Sequence, residues 1–126
     1  MLPVSRTMAV PPSSAWDLLV DTQKWSQWGP SVKAVELAGG RLGVGCHGRV
    51  QTPFGVWLPF QVTQFEEGRS WAWKVAGVPA TTHKVEDDPI GCKVTFGVPL
   101  LAGPYVLLCG AALKRIEQLA MAPATR

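Results

Sequence analysis

The feature that most constrains the fold is an alternation of apolar and polar side chains that runs, with short interruptions, from residue 56 to residue 98. Because successive side chains of a β-strand point to opposite faces of a sheet, this period of two predicts strands with one apolar face. The interruptions at residues 67–68 and 87–91 have turn chemistry and are too short for parallel crossovers, so neighbouring strands should pair antiparallel. Together with weaker candidates nearer the N-terminus, the predicted strands are residues 4–10, 32–38, 44–52, 56–66, 70–76, 80–86 and 92–98.

Two short helices are predicted after the first strand. Ser13 or Ser14 can cap the first helix, because a side-chain hydroxyl accepts a hydrogen bond from a free N–H group of the first turn. The apolar stripe of this helix, at spacings of three and four residues, consists of Ala15, Trp16, Leu18 and Leu19. Residues 24–28 can add a second helical turn, which Gly29-Pro30 ends.

A long helix is predicted from about residue 102 to residue 121. Pro104 is tolerated only in the first turn of a helix, so this helix should begin close to it. Its predicted apolar face consists of Tyr105, Cys109, Ala112, Leu113, Ile116 and Ala120. A sheet with one apolar face has to cover that face, and the long helix is the only predicted element large enough to do so. The prediction is an α+β fold in which a curved antiparallel sheet of about seven strands wraps around the C-terminal helix.

Length and composition favour one globular domain spanning residues 1–126. Hydrophobic residues make up 47% of the chain, which is enough apolar side chain to bury a core. The net charge is +3, and the basic residues are scattered except for Lys114-Arg115, so no nucleic-acid partner is expected. The uncharged stretch 98–113 has 16 residues and contains prolines. Because a membrane span needs roughly 18 apolar residues, we interpret this stretch as a buried helix.

The cysteines and acidic residues predict no metal or disulfide chemistry. Cys46, Cys92 and Cys109 are odd in number and form no CxxC motif, so neither a disulfide framework nor a zinc site is indicated. The acidic pair Asp87-Asp88 lies in a predicted turn without a histidine or third acid nearby. The N-terminus lacks the features of a signal peptide. We therefore expect reduced thiols, a cytoplasmic location, no metal and no cofactor.

Four segments resemble one protein family: PPSSAWDLLVDTQKWSQW, VTQFEEGRSWAWKV, GCKVTFGVPLL and LKRIEQLA. They are similar to the polyketide cyclase/dehydrase-like branch of the START and birch-pollen-allergen (SRPBCC) superfamily, and the resemblance extends over almost the whole chain. It implies the helix-grip fold, with a hydrophobic ligand held between sheet and helix. Members include aromatase/cyclases of polyketide synthesis as well as lipid and hormone binders. The resemblance supplies no catalytic motif, so no site residue is taken from it.

The inward faces of the predicted strands and helix form a candidate pocket. Trp71 and Trp73 would place two indoles on one wall, which suits an aromatic ligand, although inward aromatic residues also serve as ordinary core packing. The candidate ligand-binding residues are Trp71, Trp73, Thr81, Phe60, Val94, Phe96, Cys109 and Leu113.

Three polar residues are candidates for catalysis. His83 lies on the apolar face of its strand, where an imidazole could act as acid and base; the alternative is a core histidine bonded to a backbone carbonyl or water. Arg49 could stabilise an enolate if it faces inward, but the register favours the outer face. Tyr105, the only tyrosine, could donate its hydroxyl to a ligand carbonyl, or could lie at the surface with its tip in water.

Two functions remain open from the sequence. The first is a cofactor-independent enzyme that cyclises, aromatises or dehydrates a polyketide-like substrate, as a lyase would. The second is a non-catalytic carrier or sensor of a lipid-like or aromatic small molecule. The chain could be a monomer or a homodimer, since Leu107 and Leu108 lie off the predicted buried face of the long helix and could form a dimer contact.

Overall fold

The computed structural model describes residues 1–37, 41–99 and 105–122. The strands are β1 (Leu2–Met8), β2 (Ala34–Glu36), β3 (His47–Gln51), β4 (Trp57–Glu66), β5 (Ser70–Val75), β6 (Val78–Asp88) and β7 (Gly91–Val98). The helices are α1 (Pro12–Val20), α2 (Trp25–Trp28) and α3 (Tyr105–Met121), and a 3-10 turn (Thr22–Lys24) leads into α2.

All seven strands belong to one curved antiparallel sheet with the order β1-β7-β6-β5-β4-β3-β2. Strands β2 to β7 follow one another as a meander, and β1 closes the far edge by pairing with β7 from Leu2 opposite Val98 to Met8 opposite Cys92. The predicted α+β helix-grip architecture is therefore confirmed.

One face of the sheet is apolar because the period-two alternation holds through its central strands. Val85, Val94 and Phe96 are buried on this inner face. Helix α3 covers it with a stripe at helical spacing, whose buried members are Cys109, Ala112, Leu113 and Ile116. Among the helices of the described ranges, none is long and apolar enough to cross a membrane.

Two tryptophans hold α2 against the end of α1. The indole N–H of Trp25 donates to the carbonyl of Leu19 at 2.9 Å, and that of Trp28 donates to the carbonyl of Leu18 at 2.8 Å. The last carbonyls of a helix lack partners within the helix, so these bonds satisfy groups that would otherwise be left open. As a result, both indoles are held over the inner face of the sheet.

The boundaries of several elements differ from the prediction for local reasons. Helix α1 begins at Pro12, whose φ angle suits a first helical residue, and its N-cap is Pro11, which has no side-chain acceptor. The predicted caps Ser13 and Ser14 therefore lie inside the first turn, where the N–H of Ser14 donates to the Pro11 carbonyl oxygen at 3.0 Å. Strand β3 begins at His47 rather than at residue 44, since Gly45 adopts a φ of 69° in the preceding turn. The predicted start of the long helix near Pro104 lies outside the described residues.

The alternation within β4 also shifts once. A bulge between Val62 and Gln64 inserts one residue, so that Phe65 turns inward and packs on Trp16 at a ring distance of 5.7 Å. At the other end of the strand segment, Val56 lies in the hairpin and is exposed. A simple count of alternate residues therefore fails at both ends of this segment.

Candidate ligand-binding cavity

The sheet and the helices enclose a cavity of about 760 Å³. Strands β5, β6 and β7 supply one wall, α2 and the segment after it supply a second, and the first turns of α3 supply a third. The described residues that line it include no lysine, arginine, aspartate or glutamate. A cavity of this size and lining has the dimensions of small-molecule sites in proteins and would disfavour a charged ligand group.

The wall formed by β5, β6 and α2 is a stack of flat rings. Trp71 stacks on both Trp25 and His83. The ring centroids of Trp71 and Trp25 are 5.4 Å apart with their planes 5° apart, and the ring centroids of Trp71 and His83 are 3.8 Å apart. Trp73 meets Trp25 edge-on at 5.2 Å, and Phe96 meets His83 edge-on at 4.8 Å. Aromatic contacts of this kind fix the ring orientations, so the cavity has a firm planar surface for an aromatic or polycyclic ligand.

Beside this stack, a chain of hydrogen bonds connects β5 and β6. The indole N–H of Trp73 lies 3.2 Å from Thr81 Oγ1, and Thr81 Oγ1 lies 3.1 Å from His83 Nε2. The other ring nitrogen, His83 Nδ1, lies 3.4 Å from the backbone carbonyl oxygen of Trp71. Both ring nitrogens of His83 therefore already have partners within the protein.

His83 is 3% exposed, and this burial lowers its pKa from 6.5 to about 3, with the hydrogen bond to the Trp71 carbonyl opposing the shift. The imidazole is therefore neutral near pH 7. These properties agree with the alternative interpretation of His83 as a core histidine bonded to a backbone carbonyl. Both of its ring nitrogens are engaged within the protein, and its lowered pKa gives the ring little tendency to hold a second proton.

Tyr105 forms a second polar point, in the first turn of α3. Its hydroxyl is hydrogen-bonded to the hydroxyl of Ser31, from the segment that follows α2. Burial raises the pKa of the Tyr105 phenol, while the hydrogen bond between Tyr105 and Ser31 opposes this shift. The phenol is thus protonated at neutral pH and available as a hydrogen-bonding group in the cavity wall.

Arg49 does not reach the cavity. Its neighbour Val50 lines the cavity from the inner face of β3, so the alternation of the strand sends Arg49 to the outer face. There its guanidinium pairs with Glu36 and lies 5.0 Å from the ring centroid of Trp57. The hypothesis that Arg49 stabilises an enolate in the cavity is therefore corrected. Arg49 lies on the outer face, which is the position that the register of the strand favours.

The remaining predicted site residues divide into two groups. Those that line the cavity are Trp71, Trp73, Thr81, Phe96 and Cys109. Those that are buried near it without lining it are Phe60, Val94 and Leu113. Phe60 supports the wall from behind, with its ring 5.4 Å from Trp73. Burial raises the pKa of the Cys109 thiol to about 11, so it is a neutral apolar group rather than a nucleophile.

The sequence did not identify several lining residues. Trp25, Trp28 and Ser31 belong to the short helical segment, and they reach the cavity only because that segment folds back over the sheet. The spacing of three residues between the two tryptophans was the one available signal, since it places both on one helical face. Within the described ranges, no group of three histidine, cysteine or acidic side chains could hold a metal ion.

Comparison with known proteins supports the same architecture. Residues 2–122 match the model of the family described as polyketide cyclase / dehydrase and lipid transport. No curated protein matches the chain in sequence.

Solved structures with low sequence identity share the fold. Protein MLL2253 from Mesorhizobium loti is 16% identical, with 94% of each chain covered and a TM-score of 0.75. Protein BH1534 from Bacillus halodurans is also 16% identical, with the same coverage of 94% and a TM-score of 0.75. Ara h 8.0201, a Bet v 1 allergen, is 14% identical, with 97% of each chain covered and a TM-score of 0.70. Since the family model spans nearly the whole chain, this protein belongs to the polyketide cyclase / dehydrase and lipid transport family.

Proposed function

We propose that this protein binds an uncharged, hydrophobic and at least partly aromatic small molecule, and that it acts as a carrier or sensor rather than as an enzyme. The observation that carries the proposal is the cavity of about 760 Å³, whose described lining is mostly apolar and free of charged side chains. Its size falls in the range of small-molecule sites, and the stacked rings of Trp25 and Trp71 suit a flat ligand. Membership of the family is consistent with such a ligand.

The chemistry of the cavity gives little support to acid/base catalysis. Of the three candidate catalytic residues, Arg49 lies on the outer face and His83 has both ring nitrogens hydrogen-bonded within the protein. Tyr105 is left as a neutral hydroxyl paired with Ser31. A cyclase or dehydratase of the predicted kind needs a group that moves protons near neutral pH, and the shifted pKa values of His83, Tyr105 and Cys109 suit none of these side chains to that task.

Pyrene provides a direct test of binding. It is flat, uncharged and accepts excitation energy from tryptophan, so binding should quench the emission of the cavity tryptophans. Ala112 lies in the cavity wall and is buried, whereas the preceding Ala111 is exposed. We expect Ala112→Phe, which places a ring in the cavity, to weaken pyrene binding at least tenfold, and Ala111→Phe to leave it unchanged.

Both variants are first compared with the wild type by thermal unfolding, so that a loss of fold is not taken for a loss of the site. If the wild type fails to bind pyrene, or if both variants bind it equally, the proposal is incorrect. The enzymatic alternative is tested by incubating the protein with a linear poly-β-ketone and analysing the products by mass spectrometry. Conversion that disappears in His83→Asn would establish catalysis and contradict the non-catalytic assignment.

Homodimer formation remains a prediction. Leu107 is exposed, and Leu108 is partly exposed while it also lines the cavity. Because Leu108 lines the cavity, a dimer formed through these leucines would alter the cavity wall, so its presence would be detected as a change of pyrene affinity with protein concentration.

A further inference from the structure

The tautomer of His83 is determined by its surroundings. The Trp71 carbonyl oxygen, 3.4 Å from His83 Nδ1, can only accept a hydrogen bond, so Nδ1 must carry the hydrogen. A neutral imidazole has one N–H group and one lone pair, and its lone pair is therefore on Nε2. Nε2 consequently acts as the acceptor in its contact with Thr81.

This assignment determines which hydrogen-bonding capacity of the Thr81 hydroxyl remains unused. The hydroxyl has one hydrogen and two lone pairs. Its hydrogen is donated to His83 Nε2, and one lone pair accepts the indole N–H of Trp73. The remaining capacity of Thr81 Oγ1 is a single lone pair, and Thr81 is part of the cavity lining.

We infer that the ligand carries an O–H or N–H group that donates a hydrogen bond to Thr81 Oγ1. This inference rests on the proposed binding function and specifies the ligand class more closely, as an uncharged, flat, hydroxylated or amine-bearing molecule. A carbonyl, ether or carboxylate oxygen at the same place would bring two acceptors together. A carboxylate would also lose its hydration in a cavity whose described lining holds no positively charged side chain.

Three pyrenes with the same ring system separate these possibilities. 1-Hydroxypyrene carries a donor, 1-methoxypyrene carries only an acceptor, and 1-pyrenecarboxylate carries a negative charge. The variants are Thr81→Val, which replaces the hydroxyl by a methyl group of similar size, and Thr81→Ser, which retains the hydroxyl. Dissociation constants are measured by quenching of tryptophan emission near pH 7.

We expect the wild type to bind 1-hydroxypyrene about five- to tenfold more tightly than 1-methoxypyrene, as is typical for one hydrogen bond. This preference should fall to about one in Thr81→Val and persist in Thr81→Ser. 1-Pyrenecarboxylate should bind at least about tenfold more weakly than 1-hydroxypyrene.

The outcomes distinguish this inference from the proposed function. If pyrene and all three derivatives fail to bind, both are overturned. If the wild type binds the hydroxy and methoxy compounds equally, or if Thr81→Val keeps the preference, only the inference about Thr81 is overturned. The comparison within the wild type needs no variant, so the inference can be refuted even if Thr81→Val does not fold.

Discussion

The burial of His83 makes the stability of the fold depend on pH in a predictable direction. In the unfolded chain the imidazole has a pKa of 6.5, whereas in the folded protein the pKa is lowered to about 3. As the pH falls below 6.5, the unfolded state takes up a proton that the folded state does not, so acid favours unfolding. The stabilisation is therefore fully present above pH 6.5 and is lost progressively as the pH falls towards 3.

The size of the effect follows from these two values. Between about pH 8 and about pH 5, proton uptake by the unfolded chain alone, RT ln(1 + 10^(pKa − pH)), amounts to about 2 kcal/mol. The folded state contributes almost nothing in this interval, because its pKa lies well below it. We expect the free energy of unfolding, measured by urea denaturation, to fall by this amount between the two pH values.

The second histidine provides the matched control. His47 is exposed on the outer face of β3, whereas His83 is buried. The decrease should disappear in His83→Asn, whatever that variant does to absolute stability, and it should persist in His47→Asn. Equal dependence on pH in the wild type and in His83→Asn would refute the assignment of His83 as a buried neutral imidazole.

Two further predictions concern packing. Trp25 and Trp71 stack on each other, but the indole N–H of Trp25 donates to Leu19 whereas that of Trp71 has no acceptor among the described residues. Trp25→Phe should therefore destabilise the fold by about 2 kcal/mol more than Trp71→Phe, since only the first substitution breaks a hydrogen bond and only the second removes a buried unpaired donor. Equal losses in urea denaturation would contradict this. A methyl group at Gly48 would lie 2.3 Å from a backbone oxygen and 3.1 Å from an aromatic ring, whereas at Gly43 it would meet nothing within 4 Å. Gly48→Ala should destabilise the fold by about 1–3 kcal/mol and Gly43→Ala by less than about 0.5 kcal/mol. Similar melting temperatures for both variants would contradict this, because they would show that β2 and β3 can move apart to accommodate the methyl group.

The sequence predicted side-chain positions best where the two faces of a strand differ in environment, one facing the core and the other facing outward. The inward positions Trp71, His83, Val94 and Phe96 follow directly from the alternation, because a slip of one residue would expose the whole apolar set. It was least informative where a local irregularity intervenes. The bulge between Val62 and Gln64 moves the apolar positions from even to odd numbers at Phe65, but the alternation alone does not tell whether Phe65 then faces inward, since this depends on the pairing of β4 with β5.

The candidate site could be predicted only in part, because the alternation of a strand places its own side chains but not those of the helices that dock on it. Residues that line the cavity from the sheet could be identified from their register, but the contributions of Trp25 and Ser31 depend on how the short helical segment docks. That docking is held by the hydrogen bonds from Trp25 and Trp28 to the end of α1, which are tertiary contacts. Sequence periodicity carries no information about such contacts.

The role of His83 shows why an inward histidine alone does not indicate catalysis. A general acid must hold a proton at the working pH, and with a pKa of about 3 only about one molecule in ten thousand would do so near pH 7. This deficit is as large as the acceleration of about 10²- to 10⁴-fold that general acid–base catalysis typically provides. Burial keeps the imidazole neutral. Its two hydrogen-bond partners, the Trp71 carbonyl and the Thr81 hydroxyl, fix its tautomer and leave Thr81 Oγ1 able only to accept. In the proposed binding mode, the contribution of His83 is therefore to hold the Thr81 hydroxyl hydrogen, so that only a lone pair of Thr81 Oγ1 is left for the ligand. Exchanging His83 for a residue that cannot accept from Thr81 should change which ligands bind before it changes any reaction rate.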